Sequence, residues 1–440
     1  MQSLFGTDGI RGRVGTSPLT ALDMLQLGKA IGTWITQKHP AARIILAHDT
    51  RHSAALLKSA LKTGLLQYPL ALFDAQVLPT PALFYHTING PYDIGIMLTA
   101  SHNTYRDNGI KIFTKQTGKL SSEDEALLTT LFYQQLPEPS YEDLGTETLV
   151  HDAMESYLET MYNNFPNHPF LQGIKLVIDA AHGAYASHIC PFLERFGAEV
   201  IPLSVSPNGK NINDQCGSLH PQQLQQAVLA HQAHAGFAFD GDGDRLVAVT
   251  KEGICKDGDE LLSFILKDHL YADTPCVVGT IMSNQGLENE LTALNIPFYR
   301  TPVGDKLVVQ KMKETGALLG GEPSGHIILP DWSDTSDGLF TLLQLTYTAL
   351  SLNDWTFPSF TKLPQALINV RVAAKKDLSH SPYSTLIATQ ETRLTEGRLV
   401  VRYSGTEPLL RIMVEASTYE KAFDIGTLLS QQLTQALERE

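Results

Sequence analysis

Three segments of the chain share one pattern, in which an apolar strand leads into a polar, glycine-containing loop and a second apolar strand leads back. They are residues 93–113, 235–250 and 317–329, and each follows an alternation of helix-like and strand-like stretches. Alternating helices and strands fold into mainly parallel sheets covered by helices, so the chain is predicted to contain three copies of one α/β domain. Three such loops can converge on one cleft, where ligands commonly bind.

The last part of the chain breaks this pattern. Residues 351–365 contain two prolines and several polar residues, and the stretch after them reads strand, short helix, two strands and a long helix. This order predicts a small C-terminal α+β domain with its own sheet. A length of 440 residues suits several domains, because a single hydrophobic core does not grow to that size. The predicted domains are residues 1–145, 146–251, 252–362 and 363–440.

Composition argues against several classes of partner. A formal charge of −14 argues against nucleic acid, because nothing in the chain could neutralise a run of phosphates. No stretch approaches the length of a membrane span, and the first fifteen residues lack the apolar core of a signal peptide. The four cysteines are far apart and suit a reducing compartment. The sequence therefore predicts a cytoplasmic protein without a membrane partner, and it leaves a homodimer open.

The first loop contains a candidate nucleophile. Residues 99–103, the serine loop, read TASHN between two apolar strands, which places Ser101 and His102 at the end of a rigid scaffold. A serine in such a loop is either a turn former or a nucleophile, and this loop alone leaves both interpretations open.

The second loop is a candidate metal site. In the acidic loop, Asp240, Asp242 and Asp244 alternate with glycines, and three such carboxylates can surround one hard cation. An EF-hand is excluded, because it needs glycine and glutamate at the positions that hold Arg245 and Lys251. A phosphatase with an aspartate nucleophile and a solvated acidic turn stay open, and a Mg²⁺ site is the favoured interpretation.

Two further loops offer groups that could hold a phosphosugar. Residues 321–326 read GEPSGH, and the side chains of Glu322, Ser324 and His326 can hydrogen-bond to sugar hydroxyls. Residues 402–408, the tail loop, read RYSGTEP, where a glycine allows an anion nest to form beside an arginine. Each loop alone could be an ordinary turn. Together with a hydroxyl and a divalent cation, they suit phosphoryl transfer, in which catalysis is mostly positioning and charge neutralisation.

The four loops, in this order and over essentially the whole chain, resemble the α-D-phosphohexomutase superfamily. The opening FGTDGIRG, residues 207–218 and residues 303–305 are similar to its bacterial phosphoglucosamine mutase branch. The resemblance implies a heart-shaped arrangement of four domains, the last of them TBP-like. It also implies interconversion of glucosamine 6-phosphate and glucosamine 1-phosphate through a phosphoserine and a sugar bisphosphate, on the route to UDP-N-acetylglucosamine and cell-wall polymers.

The resemblance implies a role for each candidate residue. Ser101 would carry the phosphoryl group, and Asp240, Asp242 and Asp244 would hold one Mg²⁺ together with an oxygen of that group. A sugar 1,6-bisphosphate would prime the enzyme. The remaining residues are the catalytic candidates Arg11, His102, Lys111 and Arg245, the sugar ligands Glu322, Ser324 and His326, and a distal phosphate clamp of Arg402, Ser404, Gly405, Thr406 and Arg411.

Three positions qualify this interpretation. Lys111 is the candidate for proton transfer, a role that requires a lowered pKa. Thr104 stands where many relatives have proline, which is expected to loosen the loop slightly. Pro323 stands where glutamine is common, which leaves the preferred sugar open. The alternative function is therefore a phosphomannomutase/phosphoglucomutase, although the opening FGTDGIRG argues against it.

Overall fold

The computed structural model describes residues 3–6, 8–137, 140, 142–165, 169–404 and 408–438, and these form four successive sheets. We call each sheet with its helices a unit. The first unit contains β1 (Ile10–Arg13), α1 (Ala21–Lys38), β2 (Arg43–His48), α2 (Ala54–Leu65), β3 (Ala71–Val77), α3 (Thr80–Asn89), β4 (Ile94–Leu98), β5 (Asp107–Thr114), β6 (Gly118–Lys119), α4 (Ser122–Tyr133) and β7 (Thr146–Leu149).

The other three units follow in chain order. The second contains α5 (Ala153–Asn164), β8 (Lys175–Asp179), α6 (Ile189–Arg195), β9 (Glu199–Leu203), α7 (Gln222–His231), β10 (Ala235–Phe239), β11 (Leu246–Thr250) and β12 (Cys255–Lys256). The third contains α8 (Gly258–Ile265), β13 (Val277–Thr280), α9 (Gln285–Ala293), β14 (Phe298–Thr301), α10 (Asp305–Thr315), β15 (Leu319–Gly321), β16 (Ile327–Ile328) and α11 (Gly338–Leu352). The fourth contains β17 (Gln365–Arg371), α12 (Tyr383–Glu391), β18 (Leu399–Tyr403), β19 (Leu409–Glu415) and α13 (Tyr419–Glu438).

Each of the first three sheets has its own core of four strands, arranged in the same way. These cores are β2 to β5, β8 to β11 and β13 to β16. In each core the first strand lies between the second and the third, and these three are parallel. The fourth strand pairs antiparallel with the third. The serine, acidic and GEPSGH loops each connect the third strand to the fourth. The predicted α/β class with mainly parallel sheets is therefore confirmed, and the three loops occupy equivalent places.

Two additional strands extend the first sheet. β1 pairs antiparallel with β5, which places Arg11 opposite Gly109 and brings the N-terminal segment beside the serine loop. β7 pairs in parallel with β3, so the first sheet runs past the predicted domain limit at residue 145. The four domain ranges themselves stay predictions.

Hydrophobic packing joins the first three units and leaves the fourth with its own core. One cluster of buried apolar residues extends from Ile45 through the second unit to Phe360. The antiparallel sheet of β17, β19 and β18 instead packs against α12 and α13 through a separate cluster between Ala366 and Leu433. The C-terminal α+β arrangement is thus as predicted. Among the described residues, the helices are too short or too polar to cross a bilayer.

Candidate active site

Ser101 stands at the turn that follows β4, and its backbone is held in an unusual conformation. Its φ is 50°, a left-handed value that costs a non-glycine residue roughly 1–2 kcal/mol. Its N–H donates to the Thr99 hydroxyl at 2.9 Å, and that hydroxyl donates to Asp49 at 2.7 Å. Ser101 is 1% exposed. The surrounding contacts therefore fix the direction of its hydroxyl.

A buried arginine holds the carbonyl groups of this loop. Arg51 pairs with Asp49 at 2.8 Å, and both side chains are fully buried. The guanidinium donates to the carbonyls of Ser101 at 2.9 Å and Asn103 at 2.7 Å, and also to that of Thr104. Because one rigid guanidinium donates hydrogen bonds to several carbonyls, the loop cannot change shape without breaking these hydrogen bonds. The effect of Thr104 on loop rigidity stays a prediction.

The acidic loop is a buried group of oxygen ligands. One oxygen each from Asp240, Asp242 and Asp244 lies within 4.8 Å of the others. The Ser101 hydroxyl donates to Asp240 Oδ2 at 2.5 Å. Burial, aided by the two neighbouring carboxylates, raises the pKa of Asp240 to about 8. Asp242 Oδ1 is buried with no hydrogen-bond partner among the described residues. Crowded hard oxygens of this kind suit a divalent cation, so the predicted triad is a candidate metal centre.

Lys111 lies on β5 and contacts three carboxylates. Its Nζ is 2.7 Å from Asp244, 3.0 Å from Asp242 and 3.0 Å from Asp8. Burial disfavours the ammonium form, but these carboxylates outweigh it and raise the pKa of Lys111 well above its ordinary value. The lowered pKa expected for proton transfer is therefore not found in this arrangement, where Lys111 is the counter-ion of the acidic loop.

The GEPSGH loop lies against the acidic loop. His326 Nδ1 is 3.0 Å from Glu322 Oε2, and its Nε2 is 3.2 Å from Asp244 Oδ1. Burial and the charge of Arg245 disfavour protonation of His326, yet the two carboxylates outweigh them and raise its pKa to about 10. The Ser324 hydroxyl lies 3.2 Å from Nδ1 of the same ring. A charged imidazolium therefore connects these two loops.

Cationic side chains act on two groups that contact the Ser101 hydroxyl, namely Asp240 and His102. Arg245 Nε is 3.8 Å from Asp240 Oδ2. His102 Nδ1 is 3.3 Å from Ser101 Oγ, and burial with the charges of Arg245 and Arg11 lowers the pKa of His102 to about 2. His102 is thus neutral at physiological pH. Guanidinium groups bind anionic phosphoryl groups well, and the charges of Arg245 and Arg11 both reach the imidazole beside the Ser101 hydroxyl.

Two arginines on the last sheet form a second cationic site. Arg402 and Arg411 are register partners on β18 and β19, and with Met282 of the third unit they line a cavity of about 250 Å³. Burial and the charge of Arg411 lower the pKa of Arg402, whereas the charge of Glu322 raises it, so Arg402 lies within electrostatic range of the GEPSGH loop. Ser404 is buried. The predicted clamp residues Gly405 and Thr406 lie outside the described residues.

Sequence reasoning missed three residues that support this site. Asp8 pairs with Lys111, while Arg51 and Asn213 bind backbone carbonyls of the serine loop. Asp8 and Asn213 lie in segments already named, the opening FGTDGIRG and residues 207–218, whereas Arg51 lies in neither. Their partners are distant in sequence, so only the fold reveals the contacts.

Profiles of known families match nearly all of this architecture. Those described as phosphoglucomutase/phosphomannomutase alpha/beta/alpha domains I, II and III match residues 2–136, 155–253 and 257–354, and the C-terminal domain matches residues 367–426. "Phosphoglucosamine mutase 2" of Shewanella sp. (strain MR-4) is 42% identical over 429 residues, which cover 94% of this chain and 95% of that one. The chain belongs to the phosphohexomutase family. The predicted family and enzyme class, an isomerase that transfers a phosphoryl group, are thereby confirmed.

Solved structures of phosphohexomutases share the fold. A phosphoglucomutase/phosphomannomutase family protein from Burkholderia thailandensis has a TM-score of 0.81 at 23% identity, covering 99% of this chain and 98% of that one. The N-acetylphosphoglucosamine mutase of Aspergillus fumigatus, solved with GlcNAc-6P and magnesium, has a TM-score of 0.65 at 17% identity, covering 98% of this chain and 96% of that one. The four-domain phosphohexomutase fold predicted from the sequence is therefore confirmed.

Proposed function

We propose that this phosphohexomutase interconverts glucosamine 6-phosphate and glucosamine 1-phosphate, as a step toward UDP-N-acetylglucosamine and cell-wall polymers. The observation that carries the proposal is the 2.5 Å hydrogen bond from Ser101 to Asp240 of the buried acidic triad. The choice of an amino sugar is supported by the full-length relative named phosphoglucosamine mutase and by the opening FGTDGIRG.

In the proposed reaction, the phosphoryl group of phosphorylated Ser101 passes to O1 of glucosamine 6-phosphate. The P–O bond to Ser101 breaks as the bond to O1 forms, and the sugar hydroxyl proton ends on the serine oxygen. The resulting 1,6-bisphosphate turns in the cleft and returns its 6-phosphoryl group to Ser101, while the serine proton ends on O6. Each turnover therefore leaves Ser101 phosphorylated, and a bisphosphate is needed only to prime it.

The proposed cation is Mg²⁺, held by Asp240, Asp242 and Asp244. The fit rests on three buried hard oxygens and the unpartnered Oδ1 of Asp242, and the Aspergillus relative was solved with magnesium. When bound, Mg²⁺ would make the phosphoryl group a better electrophile and stabilise the departing serine oxygen. Lys111 would neutralise part of the carboxylate charge.

The remaining residues would orient the phosphosugar. Arg11 and Arg245 would neutralise the reacting phosphoryl group, beside a neutral His102 that adds no charge. Glu322, Ser324 and His326 would hold the sugar, since they already form one hydrogen-bonded group. The distal phosphate would be held by the clamp residues Arg402, Ser404, Gly405, Thr406 and Arg411. A cytoplasmic location and a homodimer also stay predictions.

The decisive test compares wild type and Ser101→Ala with Mg²⁺ and a trace of sugar bisphosphate, following glucosamine 6-phosphate by ³¹P NMR. We expect near-complete loss of isomerisation in Ser101→Ala, because the phosphoryl carrier is removed. Ser59→Ala, an exposed serine on α2, is the matched control and should keep full activity. Continued release of free phosphate by Ser101→Ala would instead support a phosphatase that uses Asp240 as its nucleophile.

The same assay decides the preferred sugar. Wild type is offered glucosamine 6-phosphate, glucose 6-phosphate and mannose 6-phosphate in separate reactions. We expect preference for the amino sugar, with Pro323 a tolerated change. A preference for either neutral sugar would keep the mechanism and support the alternative phosphomannomutase/phosphoglucomutase function.

A further inference from the structure

Asn213 of the second unit reaches across to the serine loop of the first. It lies between β9 and α7, is 5% exposed and has a φ of 56°. Its side-chain Nδ2 donates to the carbonyls of Ser101 at 2.8 Å and Asn103 at 2.9 Å. These are the carbonyls that Arg51 binds from within the first unit. The serine loop is therefore held from two units at the same two atoms.

The same amide also packs against the acidic loop. A Cβ added to Gly241 would lie 2.8 Å from Asn213 Nδ2 and 2.7 Å from Ile212 Cδ1. The backbone N–H of Asn213 donates to the carbonyl of Ala181 at 3.0 Å, which anchors it to the loop after β8. Asn213 is thus packed between the backbone that carries the metal ligands and the backbone that carries Ser101.

Within the described part of the chain, the other contacts across this boundary do not hold the backbone of the serine loop. The Thr80 hydroxyl donates to Asp242 at 2.6 Å, and Lys111 pairs with the acidic loop. The direct bond from Ser101 to Asp240 uses the hydroxyl, which phosphorylation would consume. The bonds from Asn213 use backbone carbonyls, so they remain available in the phosphorylated enzyme.

We propose that Asn213 is a positioning residue, which fixes the serine loop relative to the acidic loop across the boundary between the first and second units. The inference rests on the proposed function, because alignment of Ser101 with the metal ligands matters only if Ser101 carries the phosphoryl group. Phosphoryl transfer depends on alignment, and a displacement of about 1 Å can lower a rate on the order of 10²-fold.

The test uses the full-length protein with Mg²⁺, sugar bisphosphate and glucosamine 6-phosphate. Asn213→Ala removes both donors, and Asn213→Asp keeps the shape while placing carboxylate oxygens against two carbonyls. Asn211→Ala is the matched control, because Asn211 lies in the same loop and bonds to Ser206 and Asn208 within that loop. The readouts are kcat, KM, the melting temperature and the phosphorylation of Ser101 by mass spectrometry.

We expect kcat to fall on the order of 10²-fold in both Asn213 variants, with KM changed by less than about threefold, because the sugar ligands are untouched. Asn211→Ala should match wild type. Asn213 variants with the kcat of Asn211→Ala would overturn the inference while leaving the proposed function intact. The inference would also be overturned if the loss of kcat in both Asn213 variants were fully explained by the fraction of protein that is unfolded. A wild type without phosphoserine and without isomerisation would overturn both proposals.

Discussion

Asp259 is buried in the first turn of α8 with an incomplete set of hydrogen bonds. Its Oδ2 accepts the backbone N–H of Asn284 at 2.7 Å, whereas Oδ1 has no partner among the described residues. Burial, aided by the neighbouring charge of Asp257, raises the pKa of Asp259 to about 7. The carboxyl is therefore protonated in the folded protein under mildly acidic conditions.

This pKa predicts that Asp259 lowers stability as the pH rises. Between its ordinary value of 3.8 and about 7, the folded state binds a proton that the unfolded state has lost. The free energy of unfolding therefore falls as the pH rises through this window. We expect Asp259→Asn to remove that contribution, so that its melting temperature declines less than that of wild type between pH 4.5 and 7.5. Parallel profiles would contradict the assignment.

At the residue scale, short motifs predicted which side chains form the site, but they did not predict the protonation state of every one of them. Ser101 and the acidic triad are each recognisable within a few consecutive residues, and the fold brings them together. The charge state of Lys111 is different, because it depends on Asp8 and Asp244, which approach only after β1 and the acidic loop have docked on β5. No local pattern contains that information.

At the element scale, the GEPSGH loop depends on a close backbone contact with β11. Gly325 has a φ of 93°, and a Cβ added to it would lie 2.3 Å from the carbonyl oxygen of Leu246. The N–H of Leu246 donates to the carbonyl of Gly325 at 3.0 Å. This contact sets the distance between the loop that would hold the sugar and the strand that leaves the acidic loop.

Gly325→Ala is expected to lower the free energy of unfolding by about 2–4 kcal/mol, because left-handed strain and a backbone clash add together. Gly173→Ala is a matched control, since Gly173 has a φ of 79° with no atom within 4 Å of an added Cβ. Gly173→Ala should lower the free energy of unfolding by only about 1 kcal/mol. Melting temperatures and turnover would be measured for both, and equal effects would show that the contact with β11 is unimportant.

The repeated order of elements was predictable from the sequence, whereas some strand pairings were not. Alternating apolar helices and strands predict a parallel sheet, and three such runs predict three similar sheets. The pairing of β1 with β5 and of β7 with β3 joins segments separated by other elements. Either short strand has several edges available in principle, and the choice depends on tertiary packing rather than local periodicity.

At the scale of the whole molecule, Lys119 links the first unit to the third. Its Nζ pairs with Asp8 at 3.1 Å and with the carboxylate of Asp305 at the start of α10. The neighbouring N–H of Gly304 donates to Glu322 Oε1 at 3.1 Å. Lys119 thus links Asp8, which also pairs with Lys111, to the start of α10. The residue before α10, Gly304, in turn binds the GEPSGH loop.

Lys119→Met is expected to loosen this junction, because it removes the lysine partner of the buried Asp305 carboxylate and leaves Asp8 paired with Lys111 alone. We expect the sugar bisphosphate to escape in a larger share of turnovers, raising the bisphosphate concentration needed for full activity about tenfold. Lys306→Met is the control, since Lys306 pairs with Glu125 across the same units through side chains that are 29% and 28% exposed. A partly solvent-exposed pair of this kind contributes less to stability than a pair with the buried Asp305. The amount of sugar bisphosphate released during turnover is measured by ³¹P NMR. Equal release by the Lys119→Met and Lys306→Met variants would contradict the prediction.

The serine loop is fastened to the first and second units together, while the fourth unit keeps a hydrophobic core of its own. The reacting centre is therefore held between the first and second units, and in the proposed reaction both ends of the intermediate must reach it in turn. An inhibitor can exploit this order of events. A sugar-monophosphate analogue that cannot turn around in the cleft would accept the phosphoryl group from Ser101 and become a bisphosphate. Because it could not present its other phosphate to Ser101, it would leave the enzyme with an unphosphorylated serine.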